Sequence, residues 1–524
     1  MKPDLLNNLD KAQRSHLLTF NHGIEREALR VTPSGSLALT DHPGFLGSKL
    51  THPKITTDFS ESQLELITPV HRSAQAALED LDLVHRYIYT GLDDEILWSA
   101  SMPCVLQTDE EIPLAHYGTS NLGRLKTTYR SGLGCRYGRG MQTICAVHYN
   151  FSFSNEFWQW LKGVEGSSEP DRDFITRRYF DLMRNFRRMS WLLTYLFGAS
   201  PAVCNSFLSS RQHSLEPFDD GTAYLPHATS LRSGDLGYQS DAQGENMKIC
   251  YNSLSNYVGT LASAICTTYA PYEKIGTKVD GEYRQINTSI LQSEAEFYSS
   301  IRAKRVPGKG ENFLARLLED GVEYIEVRLL DVNPYLPLGI DQEQIDFLDA
   351  FLINCLLSDS PEHDETRCQE VRENTMKTVH GGRSAGLMLT DNGTPRSFHD
   401  WGSEILNEVS GWADQLDQAH GTTRYTDTTN RQKSLLMEPV LTPSGSILAD
   451  MAKEQIPFFR FAMDKALAHR DHFLSRPPTQ EETDLFEAMA TKSVTDQQDI
   501  EAADTVSFDE YLQNILQEYR PLAE

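Results

Sequence analysis

Four short runs of this chain alternate polar and apolar residues, and each carries acid or imidazole on its polar side. No other feature constrains the fold as much. "GIEREALRV" (23–31) sets Glu25 and Glu27 two residues apart. Side chains alternate with period two along a strand, so both glutamates stand on one face. "TTDFSESQLELITPV" (56–70) reads as a second strand, with Asp58 near its start and Glu65 inside the alternation. "TICAVHYNFSFS" (143–154) puts Val147, Tyr149, Phe151 and Phe153 on one face and His148, Asn150 and Ser152 on the other. "GVEYIEVRLLDVNPY" (321–335) puts Ile325, Val327 and Leu329 opposite Tyr324, Glu326 and Arg328. Like charges side by side on a sheet repel. If the four runs share one sheet, the resulting cluster of carboxylates is very costly unless cations occupy it.

Each piece also has a plainer explanation. A Glu-x-Glu pair is commonly a solvated strand face, His148 alone a structural histidine, Glu326 and Arg328 a simple ion pair, and Asp58 a turn cap. Repetition of one pattern in four separate runs favours a site. Oxygen ligands with one imidazole suit Mg²⁺ or Mn²⁺, and magnesium commonly bridges protein carboxylates to phosphate oxygens. Nucleotide-dependent chemistry is the expectation.

Helical patterns lie between and after the strands. Residues 73–92 have apolar spacing behind Ser73, a plausible cap, and residues 171–198 form a long helix stopped by Gly198 and Pro201. Beyond about residue 340 the pattern turns mostly helical, starting with 341–359.

A net charge of -26 disfavours nucleic acid or an anionic membrane as the main partner. The first twenty residues lack the apolar region of a signal peptide, and the longest apolar stretch, 191–203, is too short to span a bilayer, so a cytoplasmic location is expected. Eight cysteines show neither a C-x-x-C pair nor compact Cys/His spacing, which argues against a disulfide framework or structural zinc. "GFLGSKLT" (44–51) fails as a P-loop, and "GLGCRYGRG" (132–140) fails as a dinucleotide fingerprint because Tyr137 stands where glycine is needed. "IRAKRVPGKGE" (301–311) is a basic stretch that fits either phosphate contact or a solvated loop.

Longer blocks then carry a resemblance. "LTHPKITTDFSESQLELITPV", "YGTSNLGRLKTTYRSGL", "RYGRGMQTICAVHYNFSF", "YLPHATSLRSGDLGY" and "GVEYIEVRLLDVNP" closely resemble the proteobacterial glutamate–cysteine ligase family, through roughly residues 20–355 and more weakly beyond. The resemblance implies a glutamine-synthetase-like α+β fold, in which a mainly antiparallel sheet forms a funnel-shaped site with helices outside. It implies a catalytic region at 1–355, with a mostly helical region at 356–524 packed on the same unit. It further implies ATP-dependent joining of the L-glutamate γ-carboxylate to the amine of L-cysteine through a γ-glutamyl phosphate, by a monomer using small-molecule substrates. Carried over residue by residue, Glu25, Glu27, Asp58, Glu65, His148 and Glu326 match the family's magnesium ligands. Arg232 matches the arginine on the glutamate α-carboxylate, and Arg328 and Arg130 lie where the phosphoryl group would be met. Phe59, Tyr129, Leu133, Gln142, Tyr238 and Tyr298 match the cysteine pocket, and Asn150 joins the substrate-binding set. Three rivals stay open at this point: a sister ligase with another amine acceptor, a hydrolase using paired carboxylates, and a non-catalytic acidic binding protein.

Overall fold

The computed structural model describes residue 6 and residues 8–208, 211–237, 241–249, 251–308 and 310–524. The alternating runs become one antiparallel sheet: β1 (Phe20–Val31), β2 (Ile55–Thr57), β3 (Gln63–Ile67), β4 (Ile96–Leu97), β5 (Val147–Phe153), β6 (Ile301–Lys304) and β7 (Tyr324–Leu330). The strand order is β6-β7-β5-β1-β3-β2, and β4 pairs with the far end of β1. β1 is thus central, joined to β3 on one edge and β5 on the other.

Two local expectations are corrected. Residues 56–70 are not one strand; β2 and β3 are separated by a turn at 58–62, which places Asp58 directly after β2. Leu329 does not share the core face of Ile325 and Val327. Between Val327, paired with Tyr149, and Leu330, paired with Val147, β7 spends three residues where β5 spends two. One extra residue reverses the side-chain alternation, so Leu330 takes the core face and Leu329 lines a cavity on the other.

Helices cover the apolar face. α1 (Ala74–Ile88) starts at Ser73, whose hydroxyl accepts from the Ala76 amide as expected. α2 (Asn121–Tyr137) borders the site. α3 (Asp171–Phe197) is buried almost all round over its second half, and α4 (Gln342–Leu357) is buried along nearly its whole length. Such helices are apolar on every side because other elements surround them. Each fully buried Leu, Ile or Phe there contributes about 1.5–3 kcal/mol relative to exposure.

Beyond α4 come α5 (Glu365–Gly381), α6 (Phe398–His420) and α7 (Arg424–Met437). α5 packs on α3, while α6 and α7 pack on α4. The boundary expected at 355 lies in the last turn of α4. One hairpin, Met388–Asp391 with Thr394–Ser397, interrupts the helical region. Its turn, Asn392-Gly393, takes the positive φ values of 53° and 75° that this dipeptide tolerates. Among the described residues no helix is long and apolar enough to cross a membrane.

Candidate active site

The strand register decides which acids meet. Glu25 on β1 lies opposite His148 on β5, Glu27 lies opposite Glu65 on β3, and Glu326 on β7 lies opposite Asn150 on β5. Glu25 accepts from Asn150 Nδ2 at 2.9 Å and meets His148 Nδ1 at 3.2 Å. Glu27 accepts from the Ala146 amide at 2.7 Å, with its other oxygen 3.5 Å from His148 Nε2. Ligand-capable atoms of Glu25, Glu65 and His148 all lie within 4.8 Å of one another. Asp58 is close enough for its charge to act on both Glu27 and Glu65.

Electrostatics show the strain of this arrangement. Burial, then Glu25 and Asp58, push the Glu65 carboxyl up to about 8. Burial, then Asp58 and Glu65, raise Glu27 well above the carboxylate range. Glu326 goes the other way: burial opposes ionisation, but Lys304, Arg328, His148 and Arg302 hold it well below that range. Its Oε1 lies 3.2 Å from Arg328 Nη1 and 3.6 Å from Lys304 Nζ. Its Oε2 is buried without a hydrogen-bond partner among the described residues. Clustered carboxylates, one imidazole and an orphaned carboxylate oxygen are the donor set of a hard divalent cation, so the residues present fit one.

A cavity of about 340 Å³ adjoins the cluster, touching His148, Arg328, Arg232 and Tyr298. Arg232 is anchored: Nε donates to Asp331 at 2.8 Å, and Nη2 donates to the carbonyls of Arg328 and Leu330 at 2.8 and 2.9 Å. Arg328 Nη1 sits 3.4 Å from His148 Nδ1. Arg130 turns instead to the backbone, donating to the carbonyls of Asp58 and Thr57 while stacking 4.5 Å over the Tyr117 ring.

The residues matched to a thiol pocket are partly gathered. Gln142 Nε2 donates to the Tyr298 hydroxyl at 3.2 Å. Tyr129 and Leu133 stand one turn apart on α2, and Phe59 is buried next to Gly134 of that helix. Tyr238 lies outside the described residues. The basic stretch from 301 turns out to begin as strand β6, and Lys304 reaches Glu326. Sequence reasoning had no signal for that contact, because it depends on β6 pairing with β7. The same holds for Arg187 on α3 and Arg372 on α5, which line the cavity.

A family model described as glutamate-cysteine ligase matches residues 6–378. A glutamate–cysteine ligase of Alcanivorax borkumensis is 49% identical over 501 residues, covering 95% of each chain. One from Pseudomonas putida is 48% identical over 488 residues, covering 93% of each. The crystal structure of the glutamate–cysteine ligase of Francisella tularensis in complex with AMP superposes with a TM-score of 0.90 at 34% identity, over 96% of this chain and 99% of that one. A bifunctional glutathione synthetase of Pasteurella multocida shares the fold, with a TM-score of 0.70 at 23% identity, over 93% of this chain and 57% of its own. The similarity extends through the helical third, further than the sequence blocks suggested.

Proposed function

The chain belongs to the glutamate–cysteine ligase family, and from that premise we propose both its reaction and the residues that carry it. The enzyme joins the γ-carboxylate of L-glutamate to the amine of L-cysteine at the expense of ATP, giving γ-glutamylcysteine for glutathione biosynthesis. The observation that supports this reading best is the cluster of Glu25, Glu65 and His148 at one end of a cavity that also carries Arg328 and Arg232.

A carboxylate is a poor electrophile at neutral pH. In the proposed course, a γ-carboxylate oxygen of glutamate attacks the terminal phosphorus of ATP and ADP leaves. The cysteine amine then attacks the acyl carbon, the C–O bond to phosphate breaks, and the amine gives up a proton. Positioning and charge neutralisation dominate such chemistry. Glu25, Glu27, Asp58, Glu65, His148 and Glu326 would hold Mg²⁺ or Mn²⁺, which when bound neutralises phosphate and carboxylate oxygens together. Arg328, beside His148, faces the transferring phosphoryl group. Arg232, fixed by Asp331, presents charge to the glutamate α-carboxylate. Arg130 holds the Asp58 turn through its backbone bonds, a positioning part rather than direct contact with the phosphoryl group. Asn150 orients Glu25. Phe59, Tyr129, Leu133, Gln142 and Tyr298 wall the acceptor pocket. No protein thiolate is needed: burial pushes the Cys145 thiol far above neutrality.

ADP release with ATP, Mg²⁺ and L-glutamate, with and without L-cysteine and beside a panel of other amines, tests the reading. Cysteine-dependent turnover with a γ-glutamylcysteine product is expected. Turnover only with another amine would overturn the acceptor pocket, and no ATP consumption with any amine would overturn the ligase.

A further inference from the structure

The cavity has an outer end that the reaction above leaves without a part. Its inner end holds His148, Arg328 and Arg232, and Arg232 is only 4% exposed. Its outer end lies between α3 and α5, which bring in Arg187 and the exposed Arg372. No aspartate or glutamate is among the described residues lining the cavity. In a chain with 74 acidic and 48 basic residues, that is a local reversal of sign.

Arg187 and Arg372 also differ from the arginines around them. On α3, Arg172, Arg177, Arg178, Arg184 and Arg188 all pair with carboxylates. Arg187 pairs with none among the described residues; it lies 4.7 Å over the Tyr251 ring and donates to the Ile249 carbonyl at 3.4 Å. The Arg372 side chain, one wall across, makes neither a hydrogen bond nor an ion pair among the described residues. At the inner end, Arg328 faces Glu326 and Arg232 faces Asp331. Among the described residues, the cavity therefore carries matched cations inside and unmatched cations outside.

A guanidinium is planar, permanently charged and shaped to grip carboxylate or phosphate oxygens. A cleft lined by one sign of charge concentrates oppositely charged ligands and raises their rate of encounter. Both L-glutamate and ATP are anions approaching a chain of net charge -26, which repels them at long range.

We propose that Arg187 and Arg372 form an anion-capture subsite at the outer end of the cavity, receiving the carboxylate or phosphate oxygens of an incoming substrate before it reaches Arg232 and the metal-binding cluster. The identity of the substrates rests on the ligase reading above; the subsite itself rests on the two unmatched arginines.

Steady-state kinetics on Arg372→Glu, Arg372→Lys and Arg187→Gln, varying L-glutamate and ATP separately, test it. Arg372→Glu should raise one KM about tenfold with kcat within about twofold, since steering acts on encounter. Arg372→Lys should recover most of the loss, and about 0.5 M KCl should shrink the difference by screening. A rise in the glutamate KM assigns the subsite to a carboxylate; a rise in the ATP KM assigns it to phosphate. Unchanged KM values for both substrates, or a fall in kcat alone, would overturn it. Wild-type turnover is the separate control on the ligase reading. Should that fail, calorimetric binding of L-glutamate and of ATP to wild type and Arg372→Glu still decides: weaker binding of either by the variant supports the subsite, and equal binding of both refutes it.

Discussion

The two faces of β1 and β5 handle charge in opposite ways. On the apolar face, Asp349 of α4 accepts from the Tyr149 hydroxyl at 2.6 Å and meets His22 Nε2 at 3.1 Å, with the His22 and Asp349 side chains 5% and 1% exposed. One carboxylate there has one imidazole and one phenol as partners. On the other face, Glu25, Glu27, Asp58, Glu65 and Glu326 crowd around His148, with Arg328 and Lys304 at one side. The first network is a joint that ties the sheet to α4. The second leaves charge over, which the cluster balances either by holding protons, as the raised Glu27 and Glu65 show, or by taking up a cation. Polar burial alone does not mark a functional site; unbalanced polar burial does.

The largest effect that could break this contrast is expected at the joint. Asp349→Ala leaves Tyr149 and His22 without their acceptor and should destabilise the fold by about 3–5 kcal/mol, read from chemical denaturation. A loss below about 1 kcal/mol would mean that the joint is no more than a surface pair. Glu65→Gln should do the reverse. Turnover falls at least about a hundredfold, while the melting temperature holds or rises, because a carboxyl that folding forces to hold a proton near neutral pH becomes a neutral amide. A melting temperature lowered as far as that of Asp349→Ala would erase the distinction between the faces. Adding Mg²⁺ and ATP at about a hundred times their dissociation constant should stabilise the wild type by about 2.7 kcal/mol. Glu65→Gln should lose most of that gain, whereas a change at the joint should keep it.

The smallest effect sharpens the contrast within the apolar side. Asp346, on α4 and bonded by Gln342 and Arg424, is raised to about 7, chiefly by burial. Between the ordinary aspartate value and about 7, the folded chain holds a proton that the unfolded chain has released. Stability therefore falls as pH rises through that window, and the cost is complete above it. Asp346→Asn should flatten the decline of denaturation midpoint between pH 5 and 8. An unchanged slope would assign the pH dependence elsewhere.

Much of the sheet was legible because a strand shows its faces in sequence. The apolar side of β5 and the pairing of Glu326 with Arg328 on one face of β7 followed from alternation alone. Which strands are neighbours did not, since register depends on contacts far apart in the chain: 123 residues separate Glu25 from His148. Leu329 was misplaced because a bulge leaves no mark in a run of apolar residues. The hairpin at 388–397 did have a signal in Asn392-Gly393, overshadowed by the helical pattern around it. Arg187 and Arg372 were out of reach, because nothing local tells a helix arginine that faces a cavity from one that faces water. The roles proposed for Arg232 and for the thiol pocket come only from family resemblance.

The central position of β1 has a consequence for how the molecule is made. β1 leaves the ribosome first, and β3 can join it soon after, but its other edge waits for β5, and β5 in turn waits for β7. During synthesis, a row of free backbone donors and acceptors lies open on a strand that the folded molecule buries almost throughout, an invitation to pair with the wrong chain. Long-range pairing of this kind is slow. Yield from refolding should therefore depend on protein concentration, and the nascent chain is a natural client for whatever shields exposed strand edges in the cell.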